Sequence, residues 1–136
     1  MGRTLNLFHE LLRLYMRHDQ DVGIIYTATS RKQDIEEYDR KGVRQSVNSA
    51  RAEMVLLREH MEKIHTALAA EIVPGITLTY KDITIRNHAG NIAISSAPAE
   101  SPFPFIDLFD IRNIPEILCA AKNVIAEDKL RPYEPK

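Results

Sequence analysis

Glu62-Lys63-Ile64-His65 is one place where residue type and spacing suggest chemistry, because three residues along a helix bring a carboxylate and an imidazole onto one face. Di-iron bundles use this Glu-x-x-His spacing twice, with two further inward carboxylates. The chain holds no second copy, so the pair is expected on the surface, with no metal and no cofactor. His60 lies five residues from His65 and faces elsewhere. Cys119 is the single thiol. A nucleophilic thiol needs a lowered pKa, and Lys122 one turn on could supply it. No histidine lies nearby, however, and the neighbours Ile117, Leu118, Ala120 and Ala121 predict a small buried apolar residue. Asp107, Asp110 and Glu116, and Glu127 with Lys129, have the residue types of a magnesium-dependent phosphoryl-transfer site. Glu127-Asp128-Lys129 reads more simply as a solvated helix end. Neither G-x-S-x-G, a P-loop, G-x-G-x-x-G nor H-E-x-x-H occurs. No catalytic residue is therefore expected, and an enzyme built around Asp107, Asp110 and Cys119 is the second alternative.

Charge and composition narrow the partners. Eighteen Lys and Arg against nineteen Asp and Glu give a formal charge of -1, without the excess that displaces counterions from nucleic acid. An arginine line, Arg40, Arg44, Arg51 and Arg58, could track a phosphate backbone, with Lys81, Arg86 and His88 entering a groove. Glu36, Glu37, Glu53, Glu59 and Glu62 dilute that field, so nucleic acid is the alternative partner rather than the leading one. One cysteine cannot make an intrachain disulfide, and no apolar run approaches a spanning helix, so a cytoplasmic protein away from the membrane is expected.

The elements that must position these residues follow from periodicity. Leu5, Phe8, Leu12 and Tyr15, beside Leu7, Leu11 and Leu14, predict a helix over 5–18 that is covered on two sides and ends in the polar run His18-Asp19-Gln20-Asp21. Val22, Ile24, Ile25, Tyr26, Thr27 and Thr29 favour a short strand or connector over 22–29. Ser30-Arg31-Lys32-Gln33 is a capping-box pattern, opening a long helix over 31–72 that Val73-Pro74-Gly75 stops. Gly42 inside it is a plausible kink. The period then becomes two: Ile76, Leu78, Tyr80, then Ile83 and Ile85 out of phase, then Ile92 and Ile94 beyond Asn87-His88-Ala89-Gly90. This predicts an antiparallel hairpin unit over 76–95 with a turn or bulge at Lys81-Asp82. A proline and aromatic strap follows over 96–112, then a helix over 114–129 capped by Asn113 and covering the sheet, then a frayed tail over 130–136.

The strongest pattern is a heptad seam. Val43, Val47, Ala50, Met54, Leu57, Met61, Ile64 and Leu68 are spaced alternately four and three apart, with Arg44, Arg51, Arg58 and His65 along one flank. Glu53 of one chain could then meet Arg58 of a parallel partner. A straight helix over 31–72 would reach about 60 Å, beyond a compact chain of this size, and its overhanging seam would need another copy. The alternative is that the seam packs against the first and last helices of its own chain, with a break at Gly42 folding the long helix back on itself.

The expectation is a single-domain, mainly helical α+β fold with a coiled-coil seam. By elimination its function is binding: a cytoplasmic homo-oligomer, as a homodimer, acting as adaptor, regulator, inhibitor or assembly factor for a protein partner. Phe103 and Phe105 in the strap and His88 in the 87–90 loop are the candidate partner contacts.

Overall fold

The computed structural model describes residues 2–30, 42–96, 105–131 and 133. Its first helix, α1, runs Gly2–Ser30, well past the predicted end at residue 18. The cause is a stripe that hydrophobicity does not reveal. Leu11, Leu14, His18 and Asp21 are all buried, and Ile25 and Ala28 half-buried, at alternating spacings of three and four. This is a heptad seam with two polar members. It carries the helix straight through the polar run and through 22–29, because packing on a neighbouring helix outweighs the modest strand preference of β-branched residues.

The second helix, α2, runs Val43–Glu71. Gly42 precedes it in the left-handed region at φ 68°, which no continuous helix passes, so the helix predicted over 31–72 is interrupted there. Residues 31–41, and with them Arg40 and the predicted start of that helix, lie outside the described residues. Pairing of α1 with α2 is antiparallel: Arg3 at the start of α1 meets Glu71 at the end of α2 at 2.6 Å, and Arg17 meets Glu53 midway.

This hairpin settles where the heptad seam goes. Val47, Ala50, Leu57, Met61 and Leu68 are buried and Met54 and Ile64 half-buried, within a single chain. The 60 Å overhanging rod is replaced by two 29-residue helices, each about 43 Å long, that cover one another. The seam expected to clasp a second copy is therefore already occupied. Glu53, expected to reach Arg58 of another chain, instead takes the fork of its own chain's Arg17.

A four-stranded antiparallel meander covers one end of the hairpin, in the order β1 (Thr77–Tyr80), β2 (Ile83–His88), β3 (Asn91–Ser95) and β4 (Ile106–Asp107). The phase shift at Lys81-Asp82 is a two-residue turn, with Tyr80 paired to Ile83 and Lys81 at φ 58°. Ala89 and Gly90, at φ 53° and 91°, make the second turn with the positive dihedrals that match strand twist. Ile83, Ile85, Ile92 and Ile94 form one core with Phe8, Leu11, Leu12, Tyr15, Met61 and Leu68. Val47 and Ala50 are buried but separate from that core, so the far half of the hairpin extends past the sheet as an arm.

The predicted C-terminal helix is two short ones, α3 (Ile114–Ala120) and α4 (Lys122–Asp128), broken at Ala121. Asn113 makes no side-chain cap; its amide donates to the Asp107 carbonyl, and Asp110 instead caps the preceding 3₁₀ turn through Arg112 N. Ile114, Ile117, Ala121 and Val124 are buried in the core, close to the predicted stripe.

Adjacent leucines on α2 give a direct check. Leu57 is buried and Leu56 is 66% exposed. Leu57→Ala is expected to cost about 3 kcal/mol of unfolding free energy. Leu56→Ala should stay within about 0.5 kcal/mol. Urea midpoints read this, and their independence of protein concentration tests that the seam is covered within one chain.

Candidate functional site

Two polar clusters lie between α1 and α2, neither of which the periodicity of apolar residues could reveal. At the sheet end, Tyr15 is buried against His65, and its hydroxyl donates to the Leu108 carbonyl at the end of β4. With that one phenol proton committed, Nε2 of His65 carries the proton shared with Tyr15 Oη. The His65 ring also packs on Phe109, with centroids 4.5 Å apart. Burial pushes His65 down to about 4, with the Asp107 charge acting in the opposite direction, and pushes the Tyr15 hydroxyl up, reinforced by Asp107. The result is a neutral latch joining both helices to the sheet. Heptad spacing alone places His65 on the exposed flank with Arg44, Arg51 and Arg58; the close packing of α1 at this level turns that flank inward.

In the arm, the Arg17 guanidinium forks onto the Glu53 carboxylate, Nε to Oε1 and Nη2 to Oε2 at 3.3 Å. Asp21, one helical turn along α1, hydrogen-bonds Glu53, while its Oδ2 is buried with no partner. Burial, then the hydrogen bond and charge of Glu53, push the Asp21 carboxyl up to about 7, against the pull of Arg17. The Arg17 hydrogen bonds hold Glu53 below the usual carboxylate range. One proton therefore stays on Asp21 toward neutral pH. An open groove of about 370 Å³ runs beside the cluster, lined also by Ile24, Gln45, Ser46 and Ser49. His18, buried on the same helix, lies 3.5 Å from Arg58, and burial followed by the Arg58 charge lowers its pKa.

The residues singled out by type are spent differently. Asp107 Oδ1 accepts from Phe109 N, and the half-buried Asp110 accepts from the exposed Arg112, whose hydrogen bonds keep it below the usual carboxylate range. Both carboxylates thus serve local turns. Cys119 is exposed on α3, contrary to the buried position expected from its apolar neighbours, because Ile117 and Ala121 take the inward side. Glu62 is exposed while His65 is buried, so the Glu-x-x-His pair is split between solvent and core. Among the described residues, no group of three or more His, Cys, Asp and Glu is placed to hold a metal ion.

Of the expected partner contacts, Phe103 lies outside the described residues. Phe105 is half-buried beneath Arg86, whose guanidinium sits 3.8 Å from the ring centroid, so it is a strut of the sheet rather than an exposed anchor. His88 is exposed beside the β2–β3 turn, but Asn87 is buried: its amide donates to the Ile72 carbonyl and its Oδ1 accepts from Gly90 N. Arg44, Arg51 and Arg58 are exposed along α2, with Glu59 and Glu62 exposed on the same helix. No helix among the described residues is long and apolar enough to cross a membrane. No protein-family profile, curated protein or solved structure matches the chain.

The two clusters titrate with opposite sign. His65 has its folded pKa below its unfolded value, so the unfolded chain binds more protons between about pH 4 and 6.5, and this contribution to stability is lost as pH falls through that window. Asp21 has a folded pKa above its unfolded value, so its contribution is present at low pH and lost as pH rises toward about 7. Comparing wild type with His65→Gln cancels the Asp21 part. Wild type's advantage over the variant should shrink by about 2 kcal/mol between about pH 7 and pH 5, read from urea midpoints. An advantage unchanged with pH would show that His65 is not held neutral.

Proposed function

We propose that this domain is a non-catalytic interaction module that engages a protein partner through the arm of its helical hairpin. The observation that carries this reading is a row of exposed apolar side chains on one side of the arm: Val22 and Tyr26 on α1, 43% and 71% exposed, and Val55 on α2, 53% exposed. Helical spacing places them there. Val22 is seven residues from Tyr15, and Arg58 and Arg51 continue the flank begun by His65, so this side of the arm prolongs the side that the sheet covers at the other end. Val55 lies within one turn of both arginines. Single exposed apolar residues are ordinary, but a row continuing a buried face is the mark of a surface meant for another element.

An amphipathic helix fits that surface. Laid alongside α1 and α2 it completes a three-helix bundle, its apolar stripe against Val22, Tyr26 and Val55 and its acidic flank toward Arg51 and Arg58. Further support comes from the carboxylates at Asp107 and Asp110, which are engaged in local turns. Such docking differs from a coiled-coil homodimer in that it uses the outside of the hairpin, not the heptad seam.

A photo-crosslinking residue at position 26 tests it. Adducts to a protein partner are expected from position 26 and not from Thr66, which is exposed elsewhere on α2. Val55→Glu should weaken that partner's binding at least about tenfold, or about 1.4 kcal/mol, without moving the thermal midpoint. Adducts equal at both positions would overturn the reading. A light-scattering mass of twice the chain, abolished by the same substitution, would make the partner a second copy.

A further inference from the structure

We propose that Arg17, Asp21 and Glu53 form a proton-operated clasp of the hairpin arm, closed when one proton is shared between the two carboxyl groups and loosened when that proton passes to solvent. The clasp sits on the opposite flank from Val22 and Val55, so it stands independently of the docking face.

Among the described residues, the geometry leaves the cluster one charge short. Asp21 is only 2% exposed, and its Oδ2 is buried without a hydrogen-bond partner. Glu53 is a single hydrogen bond away and already takes both arms of the Arg17 fork. One guanidinium neutralises one carboxylate. The second carboxyl must remain protonated, donating to its neighbour, or face it as a buried like charge. Among the described residues, the titratable and charged groups around the pair are Arg17, His18 and Asp19 on α1 and Arg58 on α2, with Glu10 and His60, 4.0 Å apart, lower on the hairpin. His18 and Arg58 add no compensating charge as pH rises, because burial and Arg58 hold His18 neutral.

Among the described residues, the seam of the arm is short of large apolar side chains. Its seam consists of Val47 and Ala50 facing the stripe His18, Asp21, Ile25 and Ala28, outside the core that the sheet completes. Short apolar side chains and a polar pair give a low-stability unit that opens ahead of the global fold. The groove lined by Gln45, Ser46 and Ser49 is open to solvent, and the released proton leaves along it. Ionisation of Asp21 then places two carboxylates against one guanidinium, and separation of α1 from α2 at this level relieves the repulsion.

Hydrogen exchange of the full chain tests the clasp. After correction for intrinsic exchange, amides of residues 18–30 and 44–53 should exchange about tenfold faster at about pH 8.5 than at about pH 5.5, while β2 and β3 stay protected. Asp21→Asn keeps the shape and a donor to Glu53 but cannot ionise, so its arm should remain closed at both values. No change in wild type, or the same rise in the variant, overturns the proposal. Should the variant fail to fold, the carbon-13 shift of the Asp21 carboxyl in wild type decides: a midpoint near 7 supports the clasp, and one near the ordinary aspartate range refutes it.

Discussion

An apolar ridge along a helix 29 residues long needs a cover of similar length, and that requirement shapes this molecule. The ridge on α2 is covered by α1, which is equally long and runs back along it. Everything else is placed relative to that pairing. The sheet closes one end over Phe8, Tyr15, Met61 and Leu68, and α3 and α4 fill the remaining side with Ile114, Ile117 and Val124. What the sheet leaves uncovered becomes the arm. A helical pair of this kind gains most of its stability from packed side chains rather than from helix propensity. Among the described residues, the arm, with small and polar side chains in its seam, therefore has the weakest packing of the hairpin.

The polar members of the seam explain how the halves differ. At the sheet end, Tyr15 and His65 are fully engaged with each other and with the Leu108 carbonyl, a satisfied network that fixes the helices to the sheet. In the arm, Arg17, Asp21 and Glu53 leave one buried oxygen unpartnered. A buried polar group costs about 1–3 kcal/mol when its hydrogen bond is missing, so the second cluster is the weaker joint of the two. One end of the hairpin is built to stay closed. The other is built on a balance of charge.

Much of this was legible in the residues. The heptad spacing of Val47 to Leu68 identified the apolar face of α2, and the change to period two identified β1 to β3 together with the turn at Lys81-Asp82. The direction of the seam was not legible, because spacing names the face of a helix and not what lies against it. The reach of α1 was hidden by His18 and Asp21, polar residues at seam positions, and by the strand-favouring run after them. His65 looked like a flank residue because its burial depends on Tyr15, fifty residues away, and on the Leu108 carbonyl just past β4. Long-range polar pairing leaves no periodic trace. Phe105 looked available because nothing local announces that Arg86 will lie across its ring.

The pairing of α1 with α2 inside one molecule is best tested by methyl NMR on mixed chains, half isotope-labelled and half unlabelled. Nuclear Overhauser contacts between methyl groups of α1, such as Leu11 and Leu14, and those of α2, such as Leu57 and Met61, should be strong within labelled chains and missing from the filtered spectrum that reports only contacts between chains. The same contacts appearing between labelled and unlabelled molecules would mean that a second copy covers the ridge, and would contradict a hairpin closed within one chain.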